Sequence, residues 1–223
     1  GVGTLTEQGG PRRKNAPVAL DESEILRRGL DTFAELGYEA TTMRELARRL
    51  GVSHNFVHDR YGSKAAFWRA VVDAAFAGAQ AERDQLLAEH EDPAERLRLV
   101  ITQLFRLAAH SPQINRVISD ESARDSDRLD YLHRRFIQPF WDSLTPTISA
   151  LVAAGRVQDV PVHVLYHAIV GPALALGQNA IVDRLDPAAA PVAELDRDAI
   201  ADRMADVVIH GLLPEVPLSD SQQ

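Results

Sequence analysis

Residues 37–64 read Gly37-Tyr38-Glu39-Ala40-Thr41-Thr42-Met43-Arg44-Glu45-Leu46-Ala47-Arg48-Arg49-Leu50-Gly51-Val52-Ser53-His54-Asn55-Phe56-Val57-His58-Asp59-Arg60-Tyr61-Gly62-Ser63-Lys64, two short patterned runs marked off by Gly37, Gly51 and Gly62. Thr42, with Glu45 three residues on, is a capping box, and Met43, Leu46, Ala47 and Leu50 put apolar side chains on one face of the helix that Gly51 ends. Ser53 reads as the cap of a further helix of about two turns through Arg60, and Gly62-Ser63-Lys64 breaks the chain and restarts it. Upstream, Asp21 and Glu24 open an earlier helix, with Leu20 and Ile25 placed as a hydrophobic staple. Its stripe is Leu26, Leu30, Phe33 and Leu36, and Gly37 stops it. Three short helices with a tight middle junction at Leu50-Gly51-Val52-Ser53 make a helix-turn-helix pattern, with Val52, Val57 and Tyr61 as core.

The 223 residues as a whole have ordinary globular composition, 45% apolar and 25% charged. That excludes collagen-like and disordered classes. The absence of cysteine excludes thiolate zinc, iron–sulfur and disulfide chemistry, and it predicts a reducing compartment. No apolar run is long enough for a membrane span, and 1–17 has no hydrophobic signal core, so the expectation is a soluble, cytoplasmic protein with no membrane partner. Of the basic residues only Lys14 and Lys64 are lysines. Net charge is −8, yet from Arg12 to Val72 eleven Lys/Arg stand against eight Asp/Glu, so the basic part is the N-terminal quarter. An acidic body beyond a Debye length of about 8 Å repels phosphate only feebly.

Beyond residue 62 the pattern stays helical. Residues 63–90 read as one long helix, Pro93 and Pro112 suit the first turns of two more, and Leu97, Val100, Ile101, Leu104, Phe105 and Ala108 share one buried face. Residues 125–154 form another, which Pro139 should kink. Residues 161–184, bent at Gly171-Pro172, and 195–212 are the last two. The sum is an all-α protein of about nine helices. Residues 1–20 read as a flexible basic arm, 21–67 as the helix-turn-helix domain, 68–214 as the larger helical domain and 215–223 as a tail.

The run 25–72, above all Gly37 to Ala47, Gly51-Val52-Ser53 and Tyr61-Gly62-Ser63-Lys64, resembles the N-terminal domain of tetracycline-repressor (TetR) family regulators. The resemblance covers about a fifth of the chain. It implies a homodimeric regulator that binds a double-stranded DNA operator, and a regulatory body with a cavity lined by helices 4 to 8 for a small-molecule effector. A palindromic operator and a mostly apolar effector follow from that reading. No cofactor is implied.

In a helix-turn-helix the third helix enters the major groove, so Ser53, His54, Asn55, Phe56 and His58 are the candidates for DNA contact. Asn55 suits adenine and Phe56 a thymine methyl, with core packing as the other reading of Phe56. Arg44 matches a family position that reaches the groove, the other reading being an ion pair with Glu45 or Glu39. Thr42 and Lys64, at helix N-termini, and Arg60 suit phosphate, as do Arg12, Arg13 and Lys14 in the arm. Many family members carry Thr-Leu-Tyr where this chain has Phe56-Val57-His58, so the operator is not transferable.

For the effector, the candidates are Phe105, Ile114, Phe136, Phe140, Trp141, Tyr166 and Leu174, with His110, His133, His167, Gln178 and Asn179 as polar anchors. Each aromatic also reads as plain core. Helices 161–184 and 195–212 are expected to pair with their symmetry mates through Val164, Ile169, Leu174 and Ile181, and through Ile200, Met204, Val207 and Val208. Two alternatives stand beside the regulator. His163 and His167, four apart, suit a metal-sensing regulator, and Glu121, His133 and Asp142 are the groups a helical enzyme would use, although no catalytic motif surrounds them.

Overall fold

Asp21 caps α1 (Glu22–Leu36), accepting a hydrogen bond from the Ser23 N–H. Thr42 caps α2 (Met43–Leu50) through the Glu45 N–H at 3.1 Å. α3 (Phe56–Tyr61) follows the Gly51 turn, and Ser63 caps α4 (Lys64–Ala75) at 3.0 Å. Glu45 does not close its capping box on Thr42; its carboxylate is taken by Arg48 and Arg49. The computed structural model describes residues 21–215, so the arm with Arg12, Arg13 and Lys14, the Leu20 staple and the tail from 216 lie outside the described residues.

The remaining elements are α5 (Ala79–Glu89), α6 (Pro93–His110), α7 (Pro112–Ser122), α8 (Asp127–Leu132), α9 (Gln138–Ala153), α10 (Val162–Ala175), α11 (Asn179–Leu185) and α12 (Arg197–Leu212). No strand occurs among the described residues. Pro93 and Pro112 sit in first turns, where their missing N–H costs nothing. Three of the expected helices are subdivided. The 63–90 run breaks after Ala75, where Gly78 takes φ +83°. The 125–154 run passes through a π-helical turn, His133–Ile137, directly before Pro139. The wider turn accommodates a residue with no N–H to donate. The 161–184 run stays helical through Gly171-Pro172 and breaks around Gly177, where α10 and α11 meet at 87°.

Gly177 holds that corner for two reasons. Its φ is +97°, and a Cβ there would lie 2.4 Å from Cβ of Pro112. Beside it the buried Asn115 amide donates to the carbonyls of Ala108 and Leu176, both at 2.9 Å, fastening α7 to the ends of α6 and α10.

Two apolar clusters result. The body core joins α6, α9, α10 and α12 around Leu97, Ile101, Phe105, Leu144 and Ile169. The head core gathers Ile25, Phe33, Leu46, Leu50, Val57, Phe67, Trp68 and Val72, and it also takes in Ile114 and Val117 of α7 and Leu132 of α8. On α1 the buried positions are Ile25, Gly29, Thr32, Phe33 and Ala34, with Leu26 and Leu30 half-buried, and Gly29 lets α4 come so close that a Cβ there would sit 2.7 Å from Phe67.

Candidate nucleic-acid interface and effector cavity

The outer surface of α2–α3 is built by what the core takes away. Leu46, Ala47, Leu50 and Val57 are buried, which leaves Thr42, Arg44, Ser53, His54, Asn55 and His58 exposed. Arg44 makes no ion pair among the described residues, since Glu45 is held by Arg48 and Arg49 and Glu39 lies against Arg128. Arg44 is therefore not the ion-pair partner of Glu45 or Glu39. The third helix starts later than expected. Asn55, not Ser53, occupies its cap and makes no capping bond, while the Ser53 carbonyl accepts the Phe56 N–H at 3.1 Å. His54 and Asn55 thus lie on the turn leading into α3. Phe56 is half-buried and packs on the head core, which favours the core reading of that residue.

Two expected phosphate residues are engaged internally. Lys64 donates to the carbonyls of Tyr38 at 2.9 Å and Thr41 at 3.0 Å, and its ammonium lies 4.1 Å from the Tyr38 ring centre. It clamps the α1–α2 turn, and burial pulls its pKa below the ordinary lysine value. Arg60 pairs with Glu22 at 3.2 Å, and Tyr61 donates to the same carboxylate at 3.1 Å, so α3 is tied to the start of α1. Arg60 remains more than half exposed.

The head is joined to the body by charge as well as apolar packing. The Arg128 guanidinium lies 4.0 Å from the Tyr38 ring centre and bonds to the buried Glu121 at 2.8 Å. That engagement removes Glu121 from any acid–base group with His133 and Asp142, which are themselves bridged by Gln138 at the surface. On the other side of α4, Asp73 accepts from Tyr131 at 2.7 Å and Arg135 at 3.1 Å, and Phe76 stacks on Phe136 at 4.3 Å.

Next to that stack is a cavity of about 190 Å³. Phe76, Arg83, Leu107, Phe136, Phe140 and Leu174 are among its lining. Of the expected effector residues, Ile114, Phe136, Phe140, Tyr166 and Leu174 line it. The others do not. Phe105 is sealed in the body core, Trp141 packs edge-on against Tyr166, and His110 is exposed and paired with Asp198 at 2.7 Å. His133, His167 and Gln178 are exposed, and Asn179 is half-buried outside the lining. Exposed helix positions were mistaken for cavity positions because a histidine or glutamine on an apolar helix gives no sign of which side it faces. Arg83, Gln103 and Asn115 line the cavity and were missed: Arg83 stands between Glu82 and Asp84, Gln103 and Asn115 stand in runs of mixed polarity, and only packing against other helices buries them. His163 and His167 are exposed, and no group of three or more metal-ligating side chains occurs among the described residues.

The described residues thus form a helix-turn-helix head carried on a helical body. Residues 25–71 match the family model for bacterial regulatory proteins of the tetR family, so the head of the chain is a tetR-type helix-turn-helix domain. It is 28% identical over 104 residues to the nucleoid occlusion factor SlmA of Vibrio vulnificus, covering 44% of this chain and 53% of that one. It is 30% identical over 111 residues to the HTH-type transcriptional activator FasR of Mycolicibacterium smegmatis, covering 49% and 51%. The chain thus spans about half the length of the curated relatives it matches. Its fold is similar to that of the transcriptional regulator FadR of Bacillus subtilis, solved with stearoyl-CoA, with a TM-score of 0.59 at 15% identity over 86% of this chain and all of that one.

Proposed function

We propose that this regulator acts as a homodimeric repressor that binds a palindromic operator and is released by a small, mostly apolar molecule held in the body cavity. The observation that carries the reading is the placement of the cavity against the end of α4, whose other end is capped beside α3. In that reading Arg44, His54, Asn55 and His58 meet the major groove, Thr42, Ser53 and Arg60 lie along its rim, and an effector that fills the cavity shifts α4 and with it the head. An effector favouring the released state by about 3 kcal/mol weakens DNA binding by about two orders of magnitude. The FadR structure with stearoyl-CoA supports a fold that takes an apolar effector.

Exposed apolar side chains support the dimer. Val162, Val164, Ile181, Val182 and Val207 are solvent-facing within the segments expected to pair, and Leu185 is exposed just beyond the first of them. Ile169 belongs to the subunit's own core instead. Selection of bound sites from a random DNA pool, with the mass of the complex measured by sedimentation, tests the proposal. It predicts an inverted repeat carrying two chains; a pool without sequence preference, or a single chain per site, overturns it.

A further inference from the structure

Arg83 is the one charged side chain of α5 that is buried, at 7% exposure, and it lines the cavity. Its Nε is buried with no hydrogen-bond partner, and it enters no ion pair among the described residues. Its guanidinium carbon lies 5.2 Å from the centre of the Phe140 ring, so one face is occupied by an aromatic wall. Burial lowers its pKa, and Asp84, next in sequence, is the neighbouring charge acting against that. A buried cation without a counter-charge is strongly disfavoured unless something else supplies the anion. The other lining does not: Gln103 donates to the Ala79 carbonyl at 3.3 Å and the Asn115 amide donates to two backbone carbonyls. Arg135, also in the lining, is already neutralised by Asp73.

We infer that the effector is an apolar monocarboxylic acid, its carboxylate bound by Arg83 and its hydrocarbon part lying among Phe76, Leu107, Phe136, Phe140 and Leu174. The inference rests on the cavity being the effector site. A guanidinium presents paired N–H donors that match the two oxygens of a carboxylate, and such a bond in a dry site is about twice as strong as a neutral one. The size of the body follows from the volume. An apolar cavity of roughly 150 Å³ accepts benzene, so the 190 Å³ here fits one ring or a short alkyl chain.

The test compares matched carbon skeletons on the full chain: hexanoate, octanoate and phenylacetate against hexanol, octanol and phenylethanol, by calorimetric titration and melting temperature. On the parent protein at least one acid should bind at least ~10-fold more tightly than its alcohol. Arg83→Met should abolish that preference while keeping the alcohol's affinity, and Arg83→Lys should keep part of it. Without ligand, Arg83→Met should melt no lower than the parent, because an unpaired buried charge is removed. Alcohols that bind as well as acids overturn the role of Arg83 and leave the cavity standing; so does an acid preference that survives Arg83→Met. If neither series binds the parent, the cavity reading falls with it. Should Arg83→Met not fold, the acid–alcohol comparison on the parent and on Arg83→Lys decides.

Discussion

Phe76, the residue that ends α4, and Phe136, in the π-helical turn, stack with ring centres 4.3 Å apart and planes 22° from parallel. Both line the cavity, so a molecule entering it meets the joint between the helix that leads to the head and the wall of the body. Stacked pairs contribute about 0.5–1.5 kcal/mol beyond their buried area. Phe136→Ala should therefore leave unliganded DNA affinity within about threefold of the parent while cutting the effector-induced loss from about two orders of magnitude to less than about tenfold. Fluorescence anisotropy on the selected operator, with and without effector, measures both.

Arg44 is exposed, and removing it disturbs no ion pair found among the described residues. Arg44→Ala should change folding stability by less than about 0.5 kcal/mol and weaken operator binding by about 1–3 kcal/mol. Asn55→Ala should instead relax preference at one base pair. A randomised-site selection separates the two, and unchanged site preference for Asn55→Ala removes that residue from base readout.

Lys64 behaves as a brace. Two bonds from its ammonium hold the Tyr38 and Thr41 carbonyls. Lys64→Met should cost about 2 kcal/mol of stability in urea denaturation. The slope of log affinity against log salt should stay unchanged, where a lost phosphate contact would lower it by about one.

Hydrogen bonds from Arg48 and then Arg49 hold the Glu45 carboxyl at about 2, below its ordinary 4.5; Arg27 and then Arg28 do the same for Glu24. With the folded-state value the lower one, their contribution is present above pH 4.5 and is lost as pH falls toward about 2. The melting-temperature gap between parent and Glu45→Gln should close over that window, and high salt should narrow it at neutral pH. A gap that does not vary with pH contradicts the assignment.

Gly177→Ala meets two obstacles, the left-handed backbone and the Pro112 side chain. A loss of about 2–5 kcal/mol in chemical denaturation is expected, about 1–2 from the backbone conformation and about 1–3 from overpacking.

Helix starts were legible where a short polar side chain caps them, as Asp21, Thr42 and Ser63 do, since that signal is local. The tetR-family domain was legible for the same reason: its turns and caps recur at fixed spacing within 25–71. The start of α3 was misplaced because Ser53 and Asn55 are both good cap residues, and the packing of Phe56 and Val57 on the head core decides between them. The pattern over 161–184 reads as one helix with a bend at Gly171-Pro172; the helix ends instead near Gly177, whose left-handed backbone and close approach to Pro112 only packing against α7 reveals. Arg83 was invisible because Glu82 and Asp84 flank it and the stretch reads as a wet surface. Which of three neighbouring charged residues faces inward is set by α6 and α9, far away in sequence.

Ile114, Val117 and Leu132 belong to the same apolar cluster as the helices of the helix-turn-helix. A chimera that grafts residues 21–75 onto a foreign scaffold would strip that cluster of one wall and leave Trp68 and Val72 short of cover. Engineers who want to exchange operators between such regulators should cut after α8, carrying α7 and α8 along with the part they transplant.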